Sequence, residues 1–334
     1  SILVRAIFQT REFEERFLKI GMGYRVIGGT KFYERAEIKD SVAFLRIVNQ
    51  KNDDLAFERI INVPKRSVGD STLKQLHEWG RKNKKSLEDS VIELLQLDKI
   101  KPRTKLGLVK ILNLFNKWRS DLKKKRHYEL MEIILDESEY SKMLKDKKDL
   151  ESEGRLENLK ELIRGMHDFD NLQGFLEHVA LATSIDQDWD GQKVNLMTMH
   201  AAKGLEFDLV FVPGLEDGLF PSSRSVDERN GLEEERRLMY VAITRAKKEL
   251  VLSYTKNRYL YGEVQAQMPS RFIKELPESE IEFREIFFGN EFSYSKSSNN
   301  SFGAKTFGSG NFVPKASGGF GSGSISNSSS GSSS

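Results

Sequence analysis

The spacing of apolar residues changes twice along this 334-residue chain, and that change limits the folds it can adopt. Residues 1–52 alternate short apolar runs with segments of helical period, in the order "ILVRAIF", "REFEERFLKIG", "YRVIGG" and "AEIKDSVAFLRIVNQ". Such alternation is typical of a parallel α/β sheet. Residues 53–190 contain only helical periods, and the alternation returns from residue 191. The order predicts an α/β domain interrupted by an all-helical one.

We therefore predict four regions along the chain. Residues 1–52 and 191–280 form the two parts of one α/β domain, and residues 53–190 form the inserted helical domain. Residues 281–334 form a tail of low complexity, since 24 of the last 42 residues are Ser or Gly and none of those 42 is acidic. Such a segment buries too little apolar surface to offset the entropy of ordering, so we expect it to be disordered.

Composition excludes several classes of protein. The net charge of +3 is too small to indicate a nucleic-acid partner by itself. The absence of cysteine excludes disulfides and thiolate sites and fits the cytoplasm, and the five histidines lack zinc-site spacing, so no metal site is predicted. No apolar run approaches the roughly 20 residues that span a bilayer, so no membrane association is expected. Because the chain opens with "SILVRAIF" and no methionine, we expect a fragment of a longer protein.

The segment "MTMHAAKGLEF" has half the features of a nucleotide-binding loop. A phosphate-binding loop reads G-x-x-x-x-G-K-[ST], with a hydroxyl after the lysine to hold magnesium. Here Lys203 precedes Gly204 and no hydroxyl follows, and the full motif occurs nowhere in the 334 residues. A nucleotide site that used this segment would need its phosphate loop from elsewhere.

The segment "VPKRSVGDSTLKQL" predicts a helix, a short glycine turn and a second helix. Lys65 and Arg66 precede the turn, and Ser71 and Thr72 begin the second helix. Free backbone N–H groups at a helix start bind anions, which favours a phosphate contact. An ordinary helix connection with Asp70 as the N-cap is an equally open interpretation.

Two other charged segments have simpler interpretations. The basic run Lys123–Arg126 lies in a segment of helical period, so we predict a solvated helix face, with a phosphate contact as the alternative. The segment "MEIILDESEY" resembles a strand that ends in the Asp-Glu magnesium motif of ATPases. Its apolar residues continue the period of the preceding segment, so we predict a helix there instead.

Three segments carry a family resemblance. They are "VRAIFQTREFEERFLKIGMGYRVIGGTKFYERAEIKDSVAFLR", "VNLMTMHAAKGLEFDLVFVPGLEDGLFP" and "LEEERRLMYVAITRAKKELVLSY". In order and spacing they resemble motifs IV, V and VI of the UvrD/Rep/PcrA-type superfamily one DNA helicases, and the likeness extends over residues 1–277. It implies the second of two RecA-like domains, with a helical insertion.

The resemblance also implies a function. It suggests ATP-dependent 3′ to 5′ DNA unwinding in DNA repair, with single-stranded DNA, the duplex junction and repair proteins as partners. ATP would bind with Mg²⁺, whose ligands and phosphate loop belong to the family's N-terminal half. We expect this chain to be inactive without that half.

By the same resemblance, Arg5 and Arg245 are catalytic and both contact the γ-phosphate of ATP. Guanidinium groups suit that role because they stay charged and fork around phosphate oxygens. Glu206 would contact the ATP sugar, and Gly204 would let the backbone pack closely against the nucleotide. The family has a tyrosine before the first arginine, which stacks on adenine, where this chain has Val4.

The DNA contacts implied by the resemblance lie in two places. Thr198 and His200 match positions that contact single-stranded DNA. The turn that meets duplex DNA reads Gly-Ile-Gly in the family and Ser67-Val68-Gly69 here, so one glycine is retained.

Two other functions compete with a helicase half. A non-catalytic DNA-binding remnant would have no reason to keep Arg5, Glu206 and Arg245 together. A helicase–nuclease of the RecB type would need a carboxylate-rich nuclease domain after the third segment, and the Ser/Gly tail does not supply one.

Overall fold

A five-stranded parallel sheet forms the centre of the α/β part. The structure is a computed structural model that describes residues 1–147, 150–184, 191–260 and 263–285. The strands, in the order β2–β3–β1–β4–β5, are β1 (Ile2–Val4), β2 (Tyr24–Ile27), β3 (Val194–Thr198), β4 (Phe207–Val212) and β5 (Ala246–Leu252). Every pair is parallel, which confirms the predicted α/β class.

Helices connect and interrupt this sheet. Strands β2 and β3 are neighbours in the sheet, yet most of the helices lie between them in the chain. The helices are α1 (Thr10–Lys19), α2 (Ala36–Asn49), α3 (Asp54–Ile60), α4 (Asp70–Asn83), α5 (Leu87–Gln96), α6 (Pro102–Leu122), α7 (His127–Glu137), α8 (Tyr140–Lys147), α9 (Leu150–Met166), α10 (Leu172–Ser184), α11 (Ser223–Asp227) and α12 (Gly231–Ile243).

Shorter elements complete the described chain. A β-hairpin of β6 (Asn257–Leu260) and β7 (Glu263–Ala266) follows the sheet. The segment "SRFIKEL" contains a 3₁₀ helix at Arg271–Glu275. The predicted disordered tail falls outside the described residues from residue 286 onward.

Two large apolar clusters stabilise the two parts. The helical cluster is built around fully buried aromatic side chains, Phe44, Phe57, Phe115, Trp118 and Phe175. It includes the buried face of α2, which the sequence prediction grouped with the sheet domain. The other cluster packs sheet side chains against α12. Residues Ser1–Ile281 form one compact unit, so the domain boundaries stay a prediction.

The basic run is where the helix prediction is wrong. Lys123–Arg126 is not a helix face, because α6 ends at Leu122 and α7 begins at His127. Arg126 has extended backbone angles and its N–H donates to the Glu129 side chain at 3.2 Å, which starts a new helix. The alternative strand at "MEIIL" is excluded, since α7 covers it as predicted.

The parallel strands give the sheet two distinct edges. Strand ends at Val4 and Thr198 define the carboxyl edge, where Arg5 and His200 follow. Strand starts at Phe207 and Ala246 define the amino edge. The loop from 199 to 206 therefore crosses from the carboxyl edge to the amino edge. No helix in the described residues is long and apolar enough to cross a membrane.

Candidate functional site

The carboxyl edge brings three predicted residues together. Strands β1 and β3 are paired with Val4 opposite Thr198, and the N–H of Met199 donates to the Val4 carbonyl at 2.9 Å. Arg5 and the exposed His200 therefore follow adjacent strand ends. The hydroxyl of Thr198 accepts the N–H of Ala201 at 3.2 Å and holds the start of the loop.

Arg5 is fixed by a carboxylate that the sequence prediction did not include. Its Nε donates to both carboxylate oxygens of Glu235, at 3.0 and 2.9 Å, and its Nη2 donates to Oε1 at 2.6 Å. The side chain of Glu235 is only 4% exposed, and that of Arg5 is 22% exposed. This forked ion pair ties the end of β1 to α12.

Burial and the charge of Arg5 together shift the pKa values of Glu235 and His200. Burial opposes ionisation of Glu235, but Arg5 and the backbone N–H of Ser222 outweigh it and hold its pKa below the ordinary value. His200 is exposed as a residue, but neighbouring groups partly desolvate its imidazole, and this desolvation, aided by the positive charge of Arg5, lowers its pKa. His200 is therefore neutral at neutral pH and can donate and accept hydrogen bonds.

The other predicted site residues, Gly204, Glu206 and Arg245, lie at the amino edge. Arg245 directly precedes β5, and its Nη1 donates to the carbonyl of Leu205 at 2.9 Å. Its Nε donates to the Val241 carbonyl at 3.1 Å, at the last turn of α12. The N–H of Phe207 donates in turn to the Arg245 carbonyl at 2.9 Å. Arg245 and the Gly204–Glu206 loop are thus directly joined.

Gly204 and Glu206 differ in what the fold requires of them. Gly204 has φ +85°, a conformation that L side chains rarely adopt, although a Cβ there would meet nothing within 4 Å. Glu206 is exposed, and its Oε2 lies 3.7 Å from the Lys247 ammonium. This exposed carboxylate beside a cation can accept hydrogen bonds.

The two arginines do not converge. Ile2 lies opposite Phe211 and Phe211 lies opposite Val251, so Arg5 is level with residue 254, two residues beyond the end of β5. That is nine residues beyond Arg245, or about 30 Å along a strand. One phosphate group cannot contact both side chains across that distance. The expectation that Arg5 and Arg245 share the γ-phosphate therefore does not fit this sheet.

The position of Val4 supports the same correction. Its side chain is fully buried in the sheet and packs with Ile2, Tyr24 and Leu196. It cannot lie against an adenine ring, as the residue before the first arginine was expected to do. Gly204, Glu206 and Arg245 lie together at the amino edge, whereas Arg5 lies with Thr198 and His200 at the carboxyl edge.

The Gly69 turn (residues 65–72) begins α4. Gly69 is the N-cap, which corrects the alternative interpretation with Asp70 in that position. Its φ is −97° and an added Cβ would meet nothing within 4 Å, so the fold does not require glycine there. Ser71 is exposed, whereas the N–H of Thr72 is already bonded to the Gly69 carbonyl at 2.9 Å.

The two basic residues of this turn have different surroundings. Lys65 is exposed to solvent. Arg66 points inward, where Nη1 donates to the carbonyls of Ile60, Ile61 and Val63 at 3.0–3.2 Å. Burial lowers its pKa to about 10. Arg66 therefore closes the end of α3, and Lys65 is the cation of the pair that faces solvent.

Glu235 is the residue that sequence reasoning missed, although a signal was present. Within "LEEERRLMYVAI", the residues Leu232, Glu235, Met239 and Ala242 recur at spacings of three and four. That period places Glu235 on the apolar face of α12, where an unpaired carboxylate would be unfavourable. A buried cationic partner could therefore have been expected.

Comparison with known proteins identifies the family of this chain. The model of the UvrD-like helicase C-terminal domain matches residues 1–257. The chain belongs to this family. It is 43% identical over 283 residues to the probable DNA helicase II homolog of Rickettsia felis, an alignment that covers 83% of this chain and 43% of that protein. It is 42% identical over 299 residues to the ATP-dependent DNA helicase PcrA of Bacillus subtilis, covering 84% and 40%.

This UvrD-like chain spans less than half the length of the relatives it matches. The resemblance recognised in the sequence is thereby confirmed as family membership. Within the described residues no three His, Asp or Glu side chains are grouped as metal ligands would be. The amino edge places the Arg245 guanidinium against the Gly204–Glu206 loop.

Proposed function

We propose that this chain is the second motor domain of an ATP-dependent DNA helicase. Its amino edge forms one wall of an ATP cleft, with Arg245 on the phosphates and Glu206 on the sugar. The phosphate loop and the ligands of Mg²⁺ come from the helicase's other motor domain. The observation that carries this proposal is the direct hydrogen bond from Arg245 to the Gly204–Glu206 loop.

The carboxyl edge serves the DNA track. Thr198 and His200 contact the backbone of single-stranded DNA, and Arg5, fixed by Glu235, contributes positive charge beside them. The loop from 199 to 206 joins this edge to the nucleotide wall. Movement of the nucleotide wall during hydrolysis can therefore be transmitted to the DNA contacts through a single short segment.

The Gly69 turn meets the duplex ahead of the motor. Gly69 is exposed and lacks any packing reason to be glycine, so a phosphate backbone can approach it closely. Lys65 and Ser71 supply donors to that backbone, the hydroxyl of Thr72 lies beside them, and Arg66 holds the turn in shape. We further propose translocation in the 3′ to 5′ direction, a role in DNA repair and a cytoplasmic location.

Reconstitution tests this function. The chain is co-purified with the N-terminal motor half of a PcrA-type helicase, which carries the G-x-x-x-x-G-K-[ST] loop. We expect DNA-stimulated ATP hydrolysis and unwinding of duplexes with a 3′ single-stranded extension, and neither activity from the 334-residue chain alone. ATP hydrolysis by the chain alone would contradict the proposal that the phosphate loop and the ligands of Mg²⁺ come from the other motor domain. DNA binding without any hydrolysis in the reconstituted protein would favour a non-catalytic remnant.

A further inference from the structure

The segment that contains α6 carries an unusually one-sided charge. Residues 101–126 include ten Lys and Arg residues and one acidic residue, Asp121. The rest of the chain is acidic, with 43 Lys and Arg residues against 49 Asp and Glu residues, although the whole chain has a net charge of +3. A local excess of this size on one helix and its two ends is the electrostatic feature of a surface that binds phosphate backbones.

Ion pairs neutralise the middle of this segment but not its ends. Lys105, Lys110 and Lys117 pair with Asp98, Glu139 and Glu137 respectively. At the far end, the basic turn (residues 123–126) is exposed throughout.

The nearest acidic groups do not neutralise the basic turn. Within the part of the chain that the structure describes, no carboxylate lies within ion-pair distance of Lys123, Lys124 or Lys125. Asp121 contributes only its backbone carbonyl, which accepts the N–H groups of Lys124 and Lys125. Glu129 accepts the backbone N–H of Arg126. The three ammonium groups remain available to an external anion.

Helix α6 sets the distance between the basic turn and the Gly69 turn. Its first turn is attached to the Gly69 turn, because the Thr104 hydroxyl donates to the Ser67 carbonyl at 2.9 Å. A Cβ at Gly107 would lie 2.7 Å from the Arg66 carbonyl, so the contact is close. The 21 residues of α6 then extend about 30 Å to the basic turn. That length is close to the roughly 34–36 Å of one turn of duplex DNA.

We propose that the basic turn is a second contact for the phosphate backbone of duplex DNA. It binds the duplex about one helical turn away from the Gly69 turn, on the same side of the duplex. The inference rests on the proposed duplex contact at the Gly69 turn and extends it. Helix α6 acts as a rigid spacer between the two contacts. Only a duplex long enough to span that spacing can therefore bind at both contacts.

Length-dependent binding tests this proposal. Labelled duplexes of about 6 and about 18 base pairs are titrated with the chain at several salt concentrations, since 30 Å corresponds to about 9 base pairs at roughly 3.4 Å each. The triple variant Lys123→Gln/Lys124→Gln/Lys125→Gln is compared with Lys142→Gln/Lys145→Gln/Lys147→Gln. The second variant removes three exposed lysines of α8 and matches the first in charge.

The expected result is specific to the long duplex. On about 18 base pairs, the basic-turn variant should flatten the plot of log K against log salt by about 2–3 units, at roughly 0.9 per lost phosphate contact. On about 6 base pairs it should match the parent, and the α8 variant should match the parent on both. Equal losses in the two variants, or equal losses on the two duplexes, would overturn the proposal.

The same titration separates this inference from the proposed function. If the parent chain binds neither duplex, the duplex contact at the Gly69 turn fails. If the parent binds both duplexes and the basic-turn variant is indistinguishable from it, the Gly69 contact stands and only the second contact fails. Circular dichroism melting of each variant establishes that the folded state is retained.

Discussion

Arg5 and Glu235 form a forked ion pair that joins the end of β1 to α12, with their closest atoms 2.6 Å apart. Helix α12 begins beside the carboxyl edge and leads directly into Arg245 at the amino edge. The pair therefore fixes the position of the helix that presents Arg245. A contact at the carboxyl edge of the sheet therefore helps to position a residue at the amino edge.

Removing the carboxylate of this pair should destabilise the fold. Glu235→Gln leaves the Arg5 guanidinium with a neutral partner in a largely buried setting, so the free energy of unfolding should fall by about 2–3 kcal/mol. Glu234→Gln is the matched control, because Glu234 is exposed and pairs with Arg237 within α12. It should change stability by no more than about 0.5 kcal/mol. Urea unfolding measures both, and equal effects would contradict the role of the pair.

The same pair predicts how stability depends on pH. The pKa of Glu235 in the folded state lies below the ordinary value of 4.5, through the balance of burial and Arg5 described above. Its contribution is therefore fully present above pH 4.5 and is lost as the pH falls through the folded-state pKa. Glu235→Gln should flatten the acid limb of the stability curve below that pH. An acid limb as steep as that of the parent would show that other groups control it.

Substituting the two basic residues of the Gly69 turn should affect different properties, the stability of the fold for Arg66 and the binding of duplex DNA for Lys65. Arg66→Ala removes the donor to three backbone carbonyls and should cost about 2–3 kcal/mol of unfolding free energy. Lys65→Ala should leave stability within about 0.5 kcal/mol and flatten the salt dependence of duplex binding by about one unit. Urea unfolding measures the stability of both variants, and titration of duplex DNA at several salt concentrations measures their binding. The reverse pattern would place Arg66, not Lys65, on the DNA.

Substitutions within the turn should also have separable effects. Ser67 has φ +61°, a strained angle for a residue with a Cβ, so Ser67→Gly should stabilise the fold by up to about 1 kcal/mol. Gly69→Asn supplies a good N-cap in open space and should not lower stability. Its side chain should nevertheless weaken duplex binding several-fold by blocking backbone approach. Unchanged binding would make the glycine turn an ordinary helix connection.

Local period was enough to predict most of the fold. The recurring apolar spacing identified α1 and α2 and the first two strands of the sheet, because each element buries apolar side chains in a core. It failed at Lys123–Arg126, where apolar spacing on both sides suggested one helix. The break depends on the extended backbone of Arg126 and on a Glu129 cap, which apolar spacing does not record.

The sequence predicted which residues belong to the candidate site, but it did not predict how they are arranged in space. Motif residues such as Arg5 and Arg245 were identified from their neighbours in sequence. Which edge of the sheet each occupies depends on strand order and register, here on β1 lying beside β4 and β4 beside β5. Likewise, the inward orientation of Arg66 depends on how the backbone carbonyls after α3 are arranged in space, which the sequence does not show.

The central claim is that Arg245 faces the nucleotide and Arg5 faces the DNA. Single-turnover ATP hydrolysis in the reconstituted helicase tests it most directly, with Arg245→Lys and Arg5→Lys compared under saturating ATP and DNA. Lysine keeps the charge but loses the fork.

We expect Arg245→Lys to slow hydrolysis by roughly 10³-fold or more, as for loss of an arginine finger. Arg5→Lys should stay within about tenfold of the parent, a difference of roughly 1.4 kcal/mol, while requiring more DNA for half-maximal stimulation. Equal loss of hydrolysis in both variants, with unchanged DNA requirement, would contradict the assignment of the two arginines to opposite edges.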